Sequence, residues 1–307
     1  MSHGNINNDQ YSSIIKRSTL ITLFTVLFLI GIKFFAWWMT GSIVILATLA
    51  DSFFDFAITF INLILVRFAL EPADSEHRWG HARLEAVTAL LEGVLIVLAS
   101  IYILFLAIQR YFLPETIEHT GYATIVMIVS IIVTFLLVRY QSEVIKKTSS
   151  LSATAEHTHY LQDLLTNFSA LVAIVLIGNF GFTQADSLFG SLIAIYMIYT
   201  SYGILKKSID VLIDREIDDD IRDEVRSIIM KHPKVDGIHD FKTRMSGGAK
   251  ERFFMQCHLE VSRYATLVDA HSVSDEVEEM ILKRFPDAEV ICHLDPSGIE
   301  EERTWHD

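Results

Sequence analysis

The sequence predicts an α-helical polytopic membrane protein with a small α/β domain behind it, and three observations carry that prediction. The chain of 307 residues is 51% hydrophobic with a mean hydropathy of +0.37, which is too apolar for an ordinary soluble protein. Its apolar residues are gathered into long runs rather than spread with amphipathic spacing. After about Asp214 those runs stop, and most of the formal net charge of -13 falls in the tail. We therefore expect an N-terminal segment over 1–16, a six-helix transmembrane domain over 17–212 and a separate domain over 213–307.

A helix rises about 1.5 Å per residue, so roughly 20 apolar residues cross a hydrocarbon layer of about 30 Å. Six segments qualify, near 17–39, 42–69, 84–112, 121–144, 151–178 and 185–205. The connections at Thr40-Gly41 and over 179–183 are short and carry no Lys or Arg. Lys16, Arg17, Arg67, Arg78, Arg83, Arg139, Lys146, Lys147, Lys206, Lys207 and Arg215 all fall at the opposite span ends, with Arg110 the main exception. Basic residues accumulate on the cytoplasmic side, so both termini are expected there, and in a bacterium the membrane is the inner one. The polar start ends in Lys16-Arg17 with no small-residue cleavage site after it, and the first apolar run reads as a retained span. Lys33 within that run is explained by snorkelling or pairing, and Trp37-Trp38 by an outer interfacial belt.

The tail reads as αββαβ. Residues 219–231 form a helix with Asp218, Asp219 and Asp220 at its N-cap and first turn. Residues 234–244 and 252–262 form strands joined by a Ser-Gly-Gly turn, 267–285 a helix ending before Pro286, and 288–294 a last strand. That order suits a two-layer sandwich of the ferredoxin-like, metallochaperone-like kind. The two cysteines, Cys257 and Cys292, adjoin His258 and His293, so strand alternation turns them to the opposite face as small core residues. A disulfide is not expected in a reducing cytosol.

Four ionisable residues interrupt two of the apolar runs: Asp51 and Asp55 in span two, His159 and Asp163 in span five. Each pair is spaced i, i+4, which stacks both side chains on one helix face. Span two runs inward and span five outward, so both pairs fall about 14 and 20 Å along their helices, near mid-membrane. Charged groups at that depth persist mainly where they line an ion path or a cavity, and a helix-packing role could be met more cheaply by Ser, Asn or Gln. Three carboxylates and an imidazole form a tetrahedral donor set suited to a borderline ion such as Zn²⁺; all-oxygen sites lean toward Mg²⁺ or Mn²⁺. Protons compete for the same atoms.

Two further groups of candidate ligands stand outside the spans. Asp74, His77 and His81 lie in the loop between spans two and three, where a solvated polar loop is the plain alternative. His239, His258, His271, His293 and Asp295 are scattered through the tail, with His293 and Asp295 on one strand face at i, i+2. His157 faces away from Asp163, and His3, His119, His232 and His306 are given no role.

Asp-x-x-x-Asp in span two with His-x-x-x-Asp in span five resembles the transport-site signature of the cation diffusion facilitator family. The likeness extends from the FAWWMTGS segment through EPADSEHRWGH to HLDP near the end. It implies that Asp51, Asp55, His159 and Asp163 bind transported Zn²⁺, with Cd²⁺ or Fe²⁺ as other cargo, and that members carrying this His disfavour Mn²⁺. It implies that Asp-x-x-His-x-x-x-His at Asp74, His77 and His81 is a lesser metal site. It implies a homodimer whose cytosolic domains hold two zinc ions at their interface through the tail histidines, with Asp295 bridging. The family also ties its membrane and soluble parts with a Lys and an Asp. Here Arg83 and Asp214 occupy those places, and Arg still pairs with carboxylate, often bidentately.

The expected function is divalent metal/proton antiport out of the cytosol, without covalent chemistry or an organic cofactor; the partners are metal ions, protons and membrane lipid. The acidic tail excludes a nucleic-acid partner, which requires the opposite charge. Two rivals are an intramembrane metallohydrolase and a membrane-tethered metal sensor. The first needs an open metal position with a spare general base, and neither HExxH nor a Ser/His arrangement is present.

Overall fold

In a computed structural model the protein is described over residues 8–299, apart from 42, 113–120, 181, 183 and 246–251. The predicted Ser-Gly-Gly turn, His3, His119 and His306 lie outside the described residues. The chain divides into two compact units, Met1–Ile209 and Asp210–Asp307.

The first unit is built from α1 (Asn8–Thr40), α2 (Ile43–Ala69), α3 (Arg83–Phe112), α4 (Gly121–Thr148), α5 (Leu151–Phe180) and α6 (Ala185–Leu212). The apolar windows understate three of these helices. Helix α1 starts at Asn8, well before the expected 17, while α4 and α6 run on to Thr148 and Leu212. Polar residues beyond a hydrocarbon layer are as compatible with helix as apolar ones, so hydropathy marks depth rather than helix ends. By length and composition α1, α2, α3, α4 and α6 are each able to cross a membrane; α5 falls short of that measure among the described residues. Its first five turns carry Glu156, His157, His159, Gln162, Asp163, Thr166 and Asn167.

Gly41 closes α1 at φ +61, a left-handed position, and its N–H bonds Trp37 O at 2.7 Å. Helix α1 then packs on α2 and α4, α5 packs on α3 and α4, and α2 also packs on α3. Helix α6 reaches α3 through small residues: a Cβ on Gly93 would stand 2.9 Å from Leu205 Cδ2, and one on Gly190 3.5 Å from Ala107 Cβ. Close approach at Gly and Ala is how helices associate where lipid removes the hydrophobic driving force.

The second unit contains α7 (Asp219–Ile229), β1 (Gly237–Met245), β2 (Phe253–Val261), α8 (Leu267–Arg284) and β3 (Glu289–Pro296). Its sheet order is β1-β2-β3, with β2 antiparallel to β1 and parallel to β3. The parallel step uses α8 as the crossover, as a parallel connection requires. One sheet face is apolar: Phe253, Met255, Cys257, Leu259 and Val261 alternate inward and meet Ile221, Val225 and Ile229 of α7 and Val273, Val277 and Ile281 of α8. Thr266 caps α8, its Oγ1 accepting from Asp269 N at 3.2 Å and donating to Asp269 Oδ2 at 2.6 Å. At α7 the expected cap is partly corrected: Asp218 holds the N-cap position without a side-chain cap bond, and Asp219 and Asp220 supply the first-turn negative charge.

Candidate metal centre

Helices α2 and α5 bring together three of the four predicted membrane donors. Each of Asp55, His159 and Asp163 offers a ligand atom within 4.8 Å of the other two. His159 Nε2 stands 3.4 Å from Asp55 Oδ1 and 3.9 Å from Asp163 Oδ2. Donors about 2.0–2.2 Å from a tetrahedral Zn²⁺ are spaced about 3.3–3.6 Å from one another, so the first separation already matches such an ion. His159 Nε2 is buried with no hydrogen-bond partner. A buried imidazole nitrogen facing two carboxylates beyond ordinary hydrogen-bond length is a donor set open to a cation.

Asp51 is not in this group. It lies one turn nearer the N-terminus of α2, exposed, and outside the set of mutually close donor atoms. Lys33 of α1 is held beside α2, donating to Thr48 O at 3.2 Å and Ser52 Oγ at 2.6 Å. Pairing, not snorkelling alone, therefore accounts for Lys33. On the other side of His159, Tyr160 shares a 2.6 Å hydrogen bond with Thr59 and packs against Val26, Leu137 and Val138, which fixes α5 on α2 beside the site. His157 turns to α4, where it meets Ser142 Oγ at 2.9 Å.

The loop residues Asp74, His77 and His81 also place ligand atoms within 4.8 Å of one another. His77 Nδ1 is 3.4 Å and His81 Nε2 3.5 Å from the two oxygens of Asp74. Backbone N–H groups of His77 and Glu76 donate to Asp74 Oδ1 at 2.6 and 2.8 Å, an Asx turn that aims the carboxylate at the imidazoles. Those bonds, that of His77 first, hold the Asp74 carboxyl below its ordinary range.

On the sheet face opposite the apolar core, His239, His258 and His293 are register partners across β1, β2 and β3. Their rings form a ladder of tilted neighbours, with centroids 5.1 Å apart at 50° for the first pair and 4.6 Å at 49° for the second. Asp295, 7% exposed, sits at its centre. Its Oδ2 accepts from His258 Nδ1 at 2.7 Å and lies 3.3 Å from His239 Nε2, while Oδ1 lies 3.2 Å from His293 Nε2. A carboxylate that faces two histidines with one oxygen and a third with the other has bridging geometry.

His271 stands apart from this ladder, on the outer face of α8, paired with Asp275 at 3.7 Å. Two acidic neighbours escaped sequence reasoning: Asp240 Oδ2 is 3.6 Å from His258 Nε2, and Glu260 Oε1 is 3.0 Å from His239 Nδ1. Asp240 reaches the ladder because β1 is irregular between His239 and Lys242 and its own φ is +44; strict alternation would have turned it away. Lys242 holds the Asp240 carboxyl below its usual range. His232, given no role, is buried and paired with Glu276 at 2.9 Å. Asp214 lies 3.3 Å from Arg244 within the second unit, and Arg83 opens α3 in the first. Cys257 and Cys292 are free, with sulfurs 3.7 Å apart on the core face.

Comparison with known proteins gives the same outline. Residues 19–213 match the family described as the cation efflux transmembrane domain, and residues 217–297 match the cation efflux protein cytoplasmic domain. Protein p34 of Rickettsia prowazekii is 38% identical over 294 residues, covering 96% of each chain. The cation-efflux pump FieF of Klebsiella pneumoniae is 36% identical over 292 residues, covering 95% of this chain and 96% of its own. A solved cytosolic domain of a cation diffusion facilitator family protein is 26% identical, covers 26% of this chain and 93% of its own, and has a TM-score of 0.24. With both domain families matched in order along one chain, the protein belongs to the cation efflux, or cation diffusion facilitator, family and is a membrane transporter of metal cations, not an enzyme.

Proposed function

We propose that this transporter is a Zn²⁺/H⁺ antiporter which exports zinc from the cytosol across the inner membrane, with Cd²⁺ and Fe²⁺ as secondary cargo. The observation that carries the reading is the grouping of Asp55, His159 and Asp163 across α2 and α5, with one nitrogen among oxygen donors. Asp51, one turn along α2, is the fourth ligand in this reading and joins when the ion draws the carboxylates inward. Ligation requires bare carboxylates and a neutral imidazole, so an arriving ion displaces protons and returning protons displace the ion. The same competition, worked across a pH gradient, is antiport.

In this reading the domains are 1–16, 17–212 and 213–307, both termini are cytoplasmic, and the protein is a homodimer. Asp74, His77 and His81 form a cytosolic loop site of lower affinity. His239, His258, His293 and Asp295 form the cytosolic zinc site that senses metal and braces the dimer, and His271 joins it from α8 of the partner subunit or on domain movement. Arg83 and Asp214 link the two domains of the dimer. Uptake of Zn²⁺ into proteoliposomes under an imposed pH gradient tests the core of this. Wild-type protein should move Zn²⁺ against a counter-flow of H⁺ and Asp55→Ala should not; flux that persists in Asp55→Ala places the site elsewhere.

A further inference from the structure

Beside the α2–α5 site lies a second acidic group that none of its ligands includes. Glu156 of α5 is 3% exposed and Glu92 of α3 is 5% exposed. Along their helices they fall about 8 Å from the start of α5 and about 14 Å from the start of α3, bracketing His159 at about 12 Å. The two glutamates stand on helices that pack against one another. Around them stand Thr22 of α1, whose Oγ1 lies 3.3 Å from Glu156 Oε2, and Gln141 of α4, whose Nε2 donates to Thr22 Oγ1 at 3.1 Å. Asn62 of α2 and Tyr160 of α5 also border Glu156. Lys33 is fixed on Thr48 O and Ser52 Oγ instead.

Thr22 satisfies Glu156 Oε2, but several other oxygens of this group have no protein partner. Glu92 Oε2, Glu156 Oε1, Gln141 Oε1, Gln162 Oε1 and Asn62 Oδ1 are buried without a hydrogen-bond partner among the described residues. Two carboxylates buried at membrane depth, each with an unpartnered oxygen and neither with a cation partner among the described residues, are tolerated only when neutralised by a positive charge. Sidedness identifies it: the set is all oxygen, lacks the nitrogen donor of the α2–α5 site, and is lined by amide and hydroxyl groups able to relay a proton.

We propose that the buried Glu92 and Glu156 carry exchangeable protons while the α2–α5 site is empty, and that one is released when the metal cation arrives. The inference deepens the antiport reading above and rests on it. As a divalent ion settles among Asp55, His159 and Asp163, the local charge rises by two, and loss of a proton from the carboxyl pair to solvent offsets part of that rise. The pair thus adds to the protons displaced from the ligands themselves, and the proton count per ion depends on residues that never touch the metal.

The test uses the full-length protein in lipid nanodiscs, with Zn²⁺ itself as the probe. Infrared difference spectra with and without Zn²⁺ read the carbonyl stretch of a protonated carboxylic acid, and calorimetry in buffers of different ionisation enthalpy counts protons released per ion. The expected result is an acid band that disappears on Zn²⁺ binding in the wild type and is missing in both Glu92→Gln and Glu156→Gln. In those variants Zn²⁺ still binds, with about one proton fewer released per ion. Glutamine keeps the size and the Thr22 contact of a protonated glutamate, and either variant alone is decisive should the other not fold. Zn²⁺ binding with no acid band, or with the same band and proton count in the variants, overturns the inference while leaving the antiport reading intact. Failure of the wild type to bind Zn²⁺ at all overturns both.

Discussion

Under the proposed zinc reading, replacing His159 with aspartate should leave a centre that discriminates poorly among divalent cations. The imidazole supplies the nitrogen of the α2–α5 group, 3.4 Å from Asp55 and 3.9 Å from Asp163. An aspartate is shorter, so its oxygen falls back from the position of Nε2 and the cage both widens and becomes all oxygen. It also adds a charge roughly 4 Å from two others, where like charges at an effective dielectric of about 20 repel by about 4 kcal/mol per pair. That repulsion favours protons or a hard cation and penalises an empty, ionised site. Disturbing only the outer partners of a metal ligand already costs about 10–100-fold in affinity, so loss of a direct donor should reach at least the upper value, about 2.7 kcal/mol. Mn²⁺, which takes oxygen donors readily, should lose less, and the Zn²⁺/Mn²⁺ ratio should fall at least about tenfold. The assay is fluorescent Zn²⁺ uptake into proteoliposomes with Mn²⁺, Cd²⁺ and Fe²⁺ as competitors, on protein shown to be monodisperse. An unchanged ratio in folded His159→Asp protein would refute the assignment of His159 as a ligand.

Three further outcomes follow from the second unit. Asp295→Ala removes the oxygens that face three histidines and should weaken Zn²⁺ binding by that domain at least about 100-fold, read by competition against a chelating dye. Phe253→Ala empties a fully buried position whose ring meets Phe285 edge-on at 5.4 Å; a loss of about 3–5 kcal/mol should appear as faster hydrogen exchange along β2. Glu276 is depressed below its usual 4.5 by the hydrogen bond from His232. A carboxyl depressed in the folded state stabilises fully above its unfolded value and stops doing so as pH falls through the lower folded value. Glu276→Gln should therefore flatten the acid limb of the domain's stability curve below about pH 4.5 in chemical denaturation, and a wild-type slope retained in the variant would contradict the pairing.

What could be read from the letters depended on regularity. Apolar runs and i, i+4 spacing are regular, so the helices and the shared face of Asp55, His159 and Asp163 are visible in the chain. Ligand reach is not regular. Asp51 satisfies the same spacing as Asp55, yet a helical turn of about 5.4 Å separates them along α2, and the group as it stands leaves Asp51 outside. Asp240 was hidden by the irregularity in β1, since a single displaced residue reverses which face a side chain takes. Glu92 was passed over: it shares a face of α3 with Glu85 at i, i+7, but neither falls in a ligand-like i, i+4 pair on that helix, and Glu156 belongs to another helix far along the chain.

The polar load of α5 connects these points. Glu156, His157, His159, Gln162 and Asp163 crowd the N-terminal half of α5, where Glu156 and Gln162 are buried against protein. Helix α3 meets it along one side, α4 takes His157 through Ser142, α1 supplies Thr22 to Glu156, and α2 supplies Thr59 to Tyr160 and Asp55 to His159. Three of those contacts, at His157, Glu156 and His159, involve groups whose hydrogen-bonding changes with protonation or metal binding. Removing charge from one side of α5 therefore alters how well the other side is held, and small changes in ligand occupancy become changes in helix packing. If that coupling operates, Thr22→Val, which removes the hydroxyl beside Glu156 without touching any metal ligand, should shift the pH dependence of Zn²⁺ uptake; an identical pH profile at normal Zn²⁺ affinity would show that α1 is only a wall.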